Sequence, residues 1–170
     1  MAAKPRCYLA SPLGFSEAGR TYYEGVLLPA LQAVVIPVDP WSPDVQGDDV
    51  HAGGAGERAA DIRAIGRRNA EALESCRLMV AVLDGQEVDS GTASEIGFGA
   101  AQGLTCFGLR TDYREMGEPG ATVNLQVESF ILASGGRIVA SLAALVEELR
   151  RFTGEQAPGP DPQPSNQLSG

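Results

Sequence analysis

The sequence predicts an α/β protein in which a parallel sheet is covered by helices on both faces. Short apolar runs alternate with stretches of helical spacing along most of the chain. Parallel neighbours need long crossover connections, and helices are the usual ones. A chain of 170 residues can build one core but is short for two ordinary domains. We therefore expect one domain over residues 1–152, followed by a tail over 153–170.

The first half of the pattern predicts two strands, one helix and a long loop. "RCYLAS" (6–11) is typical of a strand, and in 16–32 the residues Tyr23, Leu27 and Leu31 recur at the four-residue spacing of a helix. The β-branched run 33–38 predicts a second strand. Residues 39–57 contain two prolines and four glycines without apolar periodicity, which predicts a loop of a length that is usually functional or mobile.

The second half repeats the alternation. Composition and periodicity predict a helix over 58–76, a strand over 77–84, a helix in 89–103, a strand over 104–110, a loop over 111–122, a strand over 137–140 and a helix over 142–152. Residues 123–136 are ambiguous, and a short helix that ends at the glycines is one interpretation. The tail over 153–170 has four prolines and no aromatic residue, so we expect it to be disordered.

Charge and hydropathy exclude several classes of protein. The net charge of −9, from 13 basic and 22 acidic side chains, argues against a nucleic-acid partner, because phosphate backbones bind basic surfaces. If nucleotide chemistry occurs here, a neutral nucleoside would suit this surface better than a polyanion. No apolar run approaches the roughly 20 residues that span a bilayer, and the N-terminus lacks the apolar region of a signal peptide. We therefore expect a cytoplasmic protein without a membrane partner.

No pattern predicts a metal or a cofactor. The three cysteines lie far apart without CxxC spacing, so buried free thiols are expected. His51 is the single histidine and lies in a glycine-rich loop, where we expect it to be solvated. There is no GxxxxGK[ST] motif, and "GFGAAQG" lies within a predicted helix and not ahead of one. An enzyme that uses nicotinamide or ATP is therefore a poor fit.

The strand end with the most carboxylate side chains is the segment 83–95. Ligands of such sheets bind beyond the carboxyl ends of the strands. There Asp84 ends the third strand, Asp89 lies near a helix N-cap and Glu95 lies in the first or second turn. The helix N-terminus favours an ionised carboxylate, so we expect Glu95 to be anionic at neutral pH. The alternative is that Asp89 only caps the helix and Glu95 is an exposed helix residue, although no basic neighbour is present to pair with Glu95.

Several segments in order resemble the nucleoside 2-deoxyribosyltransferase family. "YLASPLGF" resembles its first-strand pattern, and "DSGTASEIGFGAAQG" resembles its acidic block. "DIRAIGRRNAEALESCRLMVAVLDG" resembles the helix and strand that precede that block, and "VNLQ" resembles its late asparagine motif. The resemblance covers roughly residues 6–150. It implies a flavodoxin-like (Rossmann-like) three-layer sandwich with a parallel sheet of about five strands. It also implies a homo-oligomeric transferase that exchanges 2-deoxyribose between nucleobases, with retention at the anomeric carbon.

The resemblance also implies roles for individual residues. Glu95 would be the nucleophile that forms a glycosyl-enzyme ester, and Asp89 would exchange a proton with the leaving and incoming bases. Tyr8 would hold Glu95 by a hydrogen bond. Asn69 would help to define the sugar site, and Asn124 would reach into a neighbouring subunit's pocket to bind sugar hydroxyls.

Further substrate contacts are expected from loops at the strand ends. Phe15 and Trp41 are candidates to stack on the nucleobase, whereas the helical Tyr22 and Tyr23 are expected to be structural. Asp84 could be a second acid or a base contact, but an Asp-Gly turn explains it equally well. Gly91 completes the set of expected substrate-binding positions, which are Phe15, Trp41, Asn69, Asp84, Gly91 and Asn124.

The sequence leaves two rival functions open. A hydrolase of the same superfamily would cleave deoxynucleoside 5'-monophosphates, and Ser11, Ser16 and Arg20 near the first strand could hold the phosphate. Ser11 stands where the family commonly has glycine, and Ser94 stands where it often has an aromatic residue. A rival of another class is a non-catalytic nucleotide-sensing module in which Glu95 binds ribose hydroxyls without reacting.

Overall fold

The computed structural model describes residues 3–42, 45, 55–114 and 117–154, and of 55–61 it describes the backbone alone. Within these residues five parallel strands form one sheet in the order β2-β1-β3-β4-β5. The strands are β1 Arg6–Ala10, β2 Ile36–Val38, β3 Leu78–Val82, β4 Thr105–Leu109 and β5 Ile138–Val139. This order is the flavodoxin-like one, as the resemblance implied, and it places a topological switch point between β1 and β3.

Helices cover both faces of the sheet. Helix α1 consists of Glu17–Tyr22, the π-helical segment Tyr23–Leu27 and Leu28–Gln32. The others are α2 Ala55–Glu74, α3 Ser90–Ala101, α4 Leu125–Ala133 and α5 Leu142–Thr153. Apolar side chains of α1 and α5 pack on one face of the sheet, and those of α2, α3 and α4 pack on the other. The core therefore has two layers, one on each side of the sheet.

Side-chain alternation along β1 directs residues into these two layers. Cys7 and Leu9 pack with α1 and α5, whereas Tyr8 and Ala10 pack with α2, α3 and α4. Tyr8 has no solvent exposure. A polar hydroxyl is thus carried into the layer that also contains α3, where it needs a hydrogen-bond partner.

Small residues let α3 approach its neighbours closely. A Cβ on Gly99 would lie 2.9 Å from Sδ of Met79 in β3, so this glycine permits the contact between helix and sheet. A Cβ on Gly97 would lie 3.5 Å from the Phe130 ring of α4, an ordinary contact distance. At Gly99 the absence of a side chain thus brings this helix close to the sheet.

Several boundaries differ from the sequence predictions. The strand predicted over 33–38 begins only at Ile36, because Val34 and Val35 are buried in the turn that ends α1. Helix α2 begins at Ala55, inside the predicted loop 39–57. The short helix considered for 123–136 is present as α4, and the described part of 111–122 has neither helix nor strand. The tail prediction lies outside the described residues from 155 onward.

The cysteines are buried free thiols, as expected. Cys7, Cys76 and Cys106 are free thiols in the buried core. In the described part of the chain no helix is long and apolar enough to cross a membrane.

Candidate functional site

Tyr8 and Glu95 form a hydrogen bond that links β1 to α3. The Tyr8 hydroxyl donates to Oε1 of Glu95 at 2.6 Å. Burial, followed by the charge of Glu95, raises the pKa of Tyr8, so the hydroxyl keeps the proton that it donates. The contact predicted from the resemblance is therefore present in the structure. Oε2 of Glu95 makes no hydrogen bond to any described residue, and this leaves it available to a ligand.

Asp89 is the N-cap of α3. Its Oδ2 accepts a hydrogen bond from the backbone N–H of Thr92 at 3.0 Å, as the local sequence pattern predicted. A Cβ at Gly91 would lie 3.0 Å from the same oxygen, so a residue without a side chain gives this carboxylate room. One oxygen of Asp89 thus caps the N-terminus of α3, while Oδ1 makes no hydrogen bond in the described part of the chain.

A cavity of about 330 Å³ opens beside these two carboxylates. Its described lining consists of Ser11, Phe15, Pro40, Trp41, Ile65, Asn69, Asp89, Gly91, Thr92 and Glu95. The lining comes from the loops after β1 and β2, from α2 and from the first two turns of α3. It therefore lies at the carboxyl edge of the sheet beside the β1–β3 switch point, where ligands of this fold class bind.

Burial acts on the pKa of Glu95 in the direction opposite to the helix N-terminus. Burial raises the pKa of Glu95 above its usual 4.5 and the Asp89 charge adds to this rise, while the Tyr8 hydrogen bond lowers it. The net direction is upward, opposite to the argument from the helix N-terminus. Glu95 is the sixth residue of α3 and lies in its second turn, beyond the range in which the helix end acts strongly. A carboxylate in a partly dry site is less solvated and so more reactive.

Two of the four aromatic candidates line the cavity, and two do not. Phe15 and Trp41 both line the cavity, with ring centroids 4.6 Å apart in an edge-to-face arrangement. Tyr23 is buried in the core, as expected for a structural residue. Tyr22 lies on the surface of α1 and does not line the cavity.

Asp84 holds two loops together and does not line the cavity. Its Oδ1 accepts from the backbone N–H groups of Thr111 and Asp112, at 2.6 and 2.8 Å, and its Oδ2 accepts from the Thr111 hydroxyl at 2.6 Å. Arg110, which is 5% exposed, donates to Leu83 O at 2.5 Å and to Arg114 O at 3.1 Å. The two residues join the loops that follow β3 and β4. The geometry therefore favours a structural role for Asp84, although its hydrogen bonds go to the loop after β4 and not to its own Asp-Gly turn.

Asn124 lies away from the cavity of its own chain. It is the N-cap of α4, and its Oδ1 accepts from the Gln126 N–H at 3.0 Å. The residue is exposed. Its predicted role needs a second subunit, and its surface position leaves it accessible to one.

Some lining residues were not identified from the sequence. Ile65 lies one helical turn before Asn69 and shares its face, so helical spacing could have found it. Thr92 directly follows Gly91 in the acidic block and is 2% exposed. The sequence indicates Ser11 as a phosphate ligand and as a departure from the family's glycine, and no signal in it indicates Pro40 as a lining residue.

The remaining candidates add no metal site. Within the described residues, no group of three or more His, Cys, Asp or Glu side chains could hold a metal ion. His51, which the sequence predicts to be solvated, lies outside the described residues.

Comparison with known proteins places this geometry in a family. The chain is 27% identical to a conserved protein from Enterococcus faecalis V583 (TM-score 0.69), with 88% of this chain and 99% of that chain covered. It is 26% identical to the 2-desoxiribosyltransferase from Leishmania mexicana (TM-score 0.57), with 84% and 97% covered. A CMP N-glycosidase, BcmB, from Clostridium botulinum shares the fold at 17% identity (TM-score 0.52), with 86% and 98% covered.

The search of curated protein sequences found no match. The profile of the nucleoside 2-deoxyribosyltransferase family, however, matches residues 7–136. This match spans most of the chain, including both carboxylates of the cavity and all but the last strand of the sheet. The chain therefore belongs to the nucleoside 2-deoxyribosyltransferase family.

Proposed function

We propose that this protein transfers 2-deoxyribose between nucleobases in nucleoside salvage, through a covalent intermediate on Glu95. The observation that carries the proposal is the 2.6 Å hydrogen bond from Tyr8 to one oxygen of Glu95 at the wall of the cavity. This bond fixes the carboxylate and leaves its second oxygen without a partner in the described residues. A fixed, poorly solvated carboxylate beside a cavity has the properties that a nucleophile needs.

In the first step, Oε2 of Glu95 attacks the anomeric carbon of a 2'-deoxynucleoside. The bond from that carbon to the base nitrogen breaks, and its electron pair leaves with the base. Asp89, when protonated, donates its proton to that nitrogen or to another nitrogen of the departing base. The product is a 2-deoxyribosyl ester of Glu95 with inverted configuration, together with the neutral free base.

In the second step, another base occupies the vacated position. Its ring nitrogen attacks the anomeric carbon and gives its proton to the Asp89 carboxylate, and the ester bond breaks to return Glu95 as a carboxylate. Two inversions give overall retention. Exchange of bases needs no other reactant, since proton and electron pair are both returned.

Neutral nucleosides fit the cavity better than nucleotides. Its described lining has two acidic side chains and no Lys, Arg or His. Ser16 caps α1 by accepting from Gly19 N at 3.0 Å, and Arg20 is exposed on α1; neither lines the cavity. A 5'-phosphate would meet two carboxylates, so the arrangement favours transfer from nucleosides over hydrolysis of monophosphates.

We further propose that the active site is completed in a homo-oligomer. Large apolar side chains remain exposed on the neighbouring helices α3 and α4, namely Phe98, Leu125, Phe130 and Leu132. Large apolar side chains exposed on two helices that pack together are typical of an interface. Asn124 begins α4 beside this surface, so association there would bring it to a neighbour's cavity, where its amide could bind the sugar hydroxyls.

The test is incubation with 2'-deoxyinosine and free adenine, followed by chromatography. Formation of 2'-deoxyadenosine is the expected result. Release of free 2-deoxyribose without 2'-deoxyadenosine would assign the protein as a hydrolase, and no turnover at all would favour the sensing module. A parallel incubation with 2'-deoxyinosine 5'-monophosphate tests the preference for neutral substrates, and faster turnover of the monophosphate would contradict it.

A further inference from the structure

Trp41 is held at both its backbone and its ring. Its backbone N–H donates to Oδ1 of Asp39 at 2.8 Å, and its indole N–H donates to the carbonyl of Ser11 at 3.3 Å. The ring packs against Gly14, where an added Cβ would collide with it, and meets Phe15 edge to face. A surface loop normally leaves a tryptophan more freedom than this.

Asp39 connects Trp41 to the core of the protein. It directly follows β2, and the oxygen that binds Trp41 also accepts from the Tyr23 hydroxyl at 2.8 Å. Its backbone carbonyl accepts from the N–H and the hydroxyl of Ser42, at 3.1 and 2.8 Å. One residue thus fixes the start of the loop on both sides of Trp41.

The Tyr23 ring supplies the rigid end of this connection. Its side chain is 2% exposed and packs between the sheet and α1. Burial, and then the Asp39 charge, raise the pKa of Tyr23, so the hydroxyl remains a donor throughout the physiological range. Asp39 and Tyr23 therefore tie Trp41 to the core, in addition to its contacts with the loop after β1.

We propose that Asp39 is a positioning residue for the nucleobase: it holds Trp41, with Gly14 behind the ring, as a fixed aromatic wall of the cavity on which the base stacks. The inference rests on the proposed function for the identity of the ligand. A wall that is already ordered needs no ordering when the base arrives, and this strengthens binding. The stack is made equally in the ground state and in the transition state, so its loss raises KM and leaves kcat nearly unchanged.

The test measures binding of free adenine, which cannot be turned over alone. Trp41 is the only tryptophan of the chain, so intrinsic tryptophan fluorescence reports on this residue directly. Adenine is expected to quench this emission in the unmodified protein. Asp39→Ala is expected to raise the Kd for adenine by about tenfold, the size of a weakened aromatic–base stack. It should also shift the emission of Trp41 to longer wavelength, because the ring becomes more solvated.

Two further variants separate positioning from a general loss of structure. Asp39→Asn keeps an acceptor oxygen and should bind adenine nearly as well as the unmodified protein. Gly14→Ala leaves Asp39 in place but displaces the ring, so it should weaken adenine binding as Asp39→Ala does. Tyr23→Phe should weaken binding less, and its matched control is Tyr22→Phe on the surface of the same helix, which should change nothing.

The outcomes distinguish this inference from the proposed reaction. If the protein transfers 2-deoxyribose but adenine does not quench Trp41, or if Asp39→Ala and Gly14→Ala bind adenine normally, the inference is wrong and the reaction stands. If no transfer occurs but adenine quenches Trp41, and both variants weaken adenine binding, the proposed reaction is wrong and the inference stands. A fall in kcat with unchanged KM in Asp39→Ala would also overturn it, because a stacking wall does not act on the chemical step alone.

Discussion

The Tyr8 hydroxyl and the Glu95 carboxylate meet at 2.6 Å across the space between β1 and α3. Two opposed effects act on Glu95 at this point: burial raises its pKa and the hydrogen bond from Tyr8 lowers it. The first makes the carboxylate reactive, and the second keeps it ionised at a lower pH than burial alone would allow. Tyr8 thereby sets the pH above which Glu95 can act as the proposed nucleophile.

Replacing Tyr8 by Phe should move the acidic limb of the pH–rate profile to higher pH. The change keeps the buried ring and removes only the hydrogen bond that lowers the pKa of Glu95. The measurement is kcat as a function of pH for transfer from 2'-deoxyinosine to adenine. Tyr22→Phe is the matched control and should leave the profile unchanged. An acidic limb at the same pH in Tyr8→Phe would show that Tyr8 does not tune Glu95.

Replacing Glu95 by Gln should abolish transfer without loss of the fold. Loss of a covalent nucleophile costs on the order of a thousandfold or more in kcat. Gln keeps an acceptor oxygen for Tyr8, so packing around α3 should be retained. Transfer assayed by chromatography, with circular dichroism to verify the fold, checks both parts. Transfer at the unmodified rate would eliminate Glu95 as the nucleophile.

The same substitution should stabilise the protein at neutral pH. The pKa of Glu95 is raised in the folded state above 4.5, so its favourable contribution is complete below that pH and is lost as pH rises through the folded-state pKa. Above it the fold carries a carboxylate that burial disfavours, and Gln removes this cost. The thermal midpoint of Glu95→Gln should exceed that of the unmodified protein at pH 7, with a smaller difference below pH 4.5. The exposed Glu87→Gln is the control, and a difference independent of pH would contradict the explanation.

Much of this site could be predicted because its signals are local. Asp89 as an N-cap follows from helix-start chemistry, and Phe15 and Trp41 were found because they follow strands of a parallel sheet. The pKa direction of Glu95 was missed because burial comes from tertiary packing, which the helix pattern does not contain. Asp39 was missed for a similar reason. Its partner Tyr23 lies 16 residues away on another element, and only the fold joins them.

Replacing Asp89 by Asn should slow transfer while leaving α3 capped. Asn is as good an N-cap as Asp but cannot donate an acid proton, so kcat should fall by about 10² to 10⁴. Asp89→Ala loses the cap as well and should lower the free energy of unfolding by about 1 kcal/mol. A 2-deoxyriboside whose leaving group departs without protonation should be spared in Asp89→Asn. Equal losses for both kinds of substrate would argue against Asp89 as the acid.

Replacing Arg110 by Met should lower the free energy of unfolding, and this effect should exceed any effect on substrate binding. The guanidinium is 5% exposed and donates to the carbonyls of Leu83 and Arg114 in two separate loops. Loss of these bonds leaves the carbonyl oxygen of the buried Leu83 without this donor, at a cost of about 1–3 kcal/mol. Urea denaturation measures this, with the exposed Arg67→Met on α2 as the control. Unchanged stability would mean that the two loops do not depend on Arg110.

Replacing Asn124 tests whether subunits share their active sites. Asn124 caps α4, so Asn124→Ser keeps a capping side chain and removes the amide that would reach a neighbour's sugar. Alone, this variant should lose most transfer activity while its stability stays near that of the unmodified protein. Co-expressed with Glu95→Gln, it should regain activity, because a mixed dimer contains one site with both residues intact. Random pairing would restore about a quarter of full activity. Two inactive variants that remain inactive together, although mixed dimers are shown to form, would place both residues in sites that each subunit builds alone.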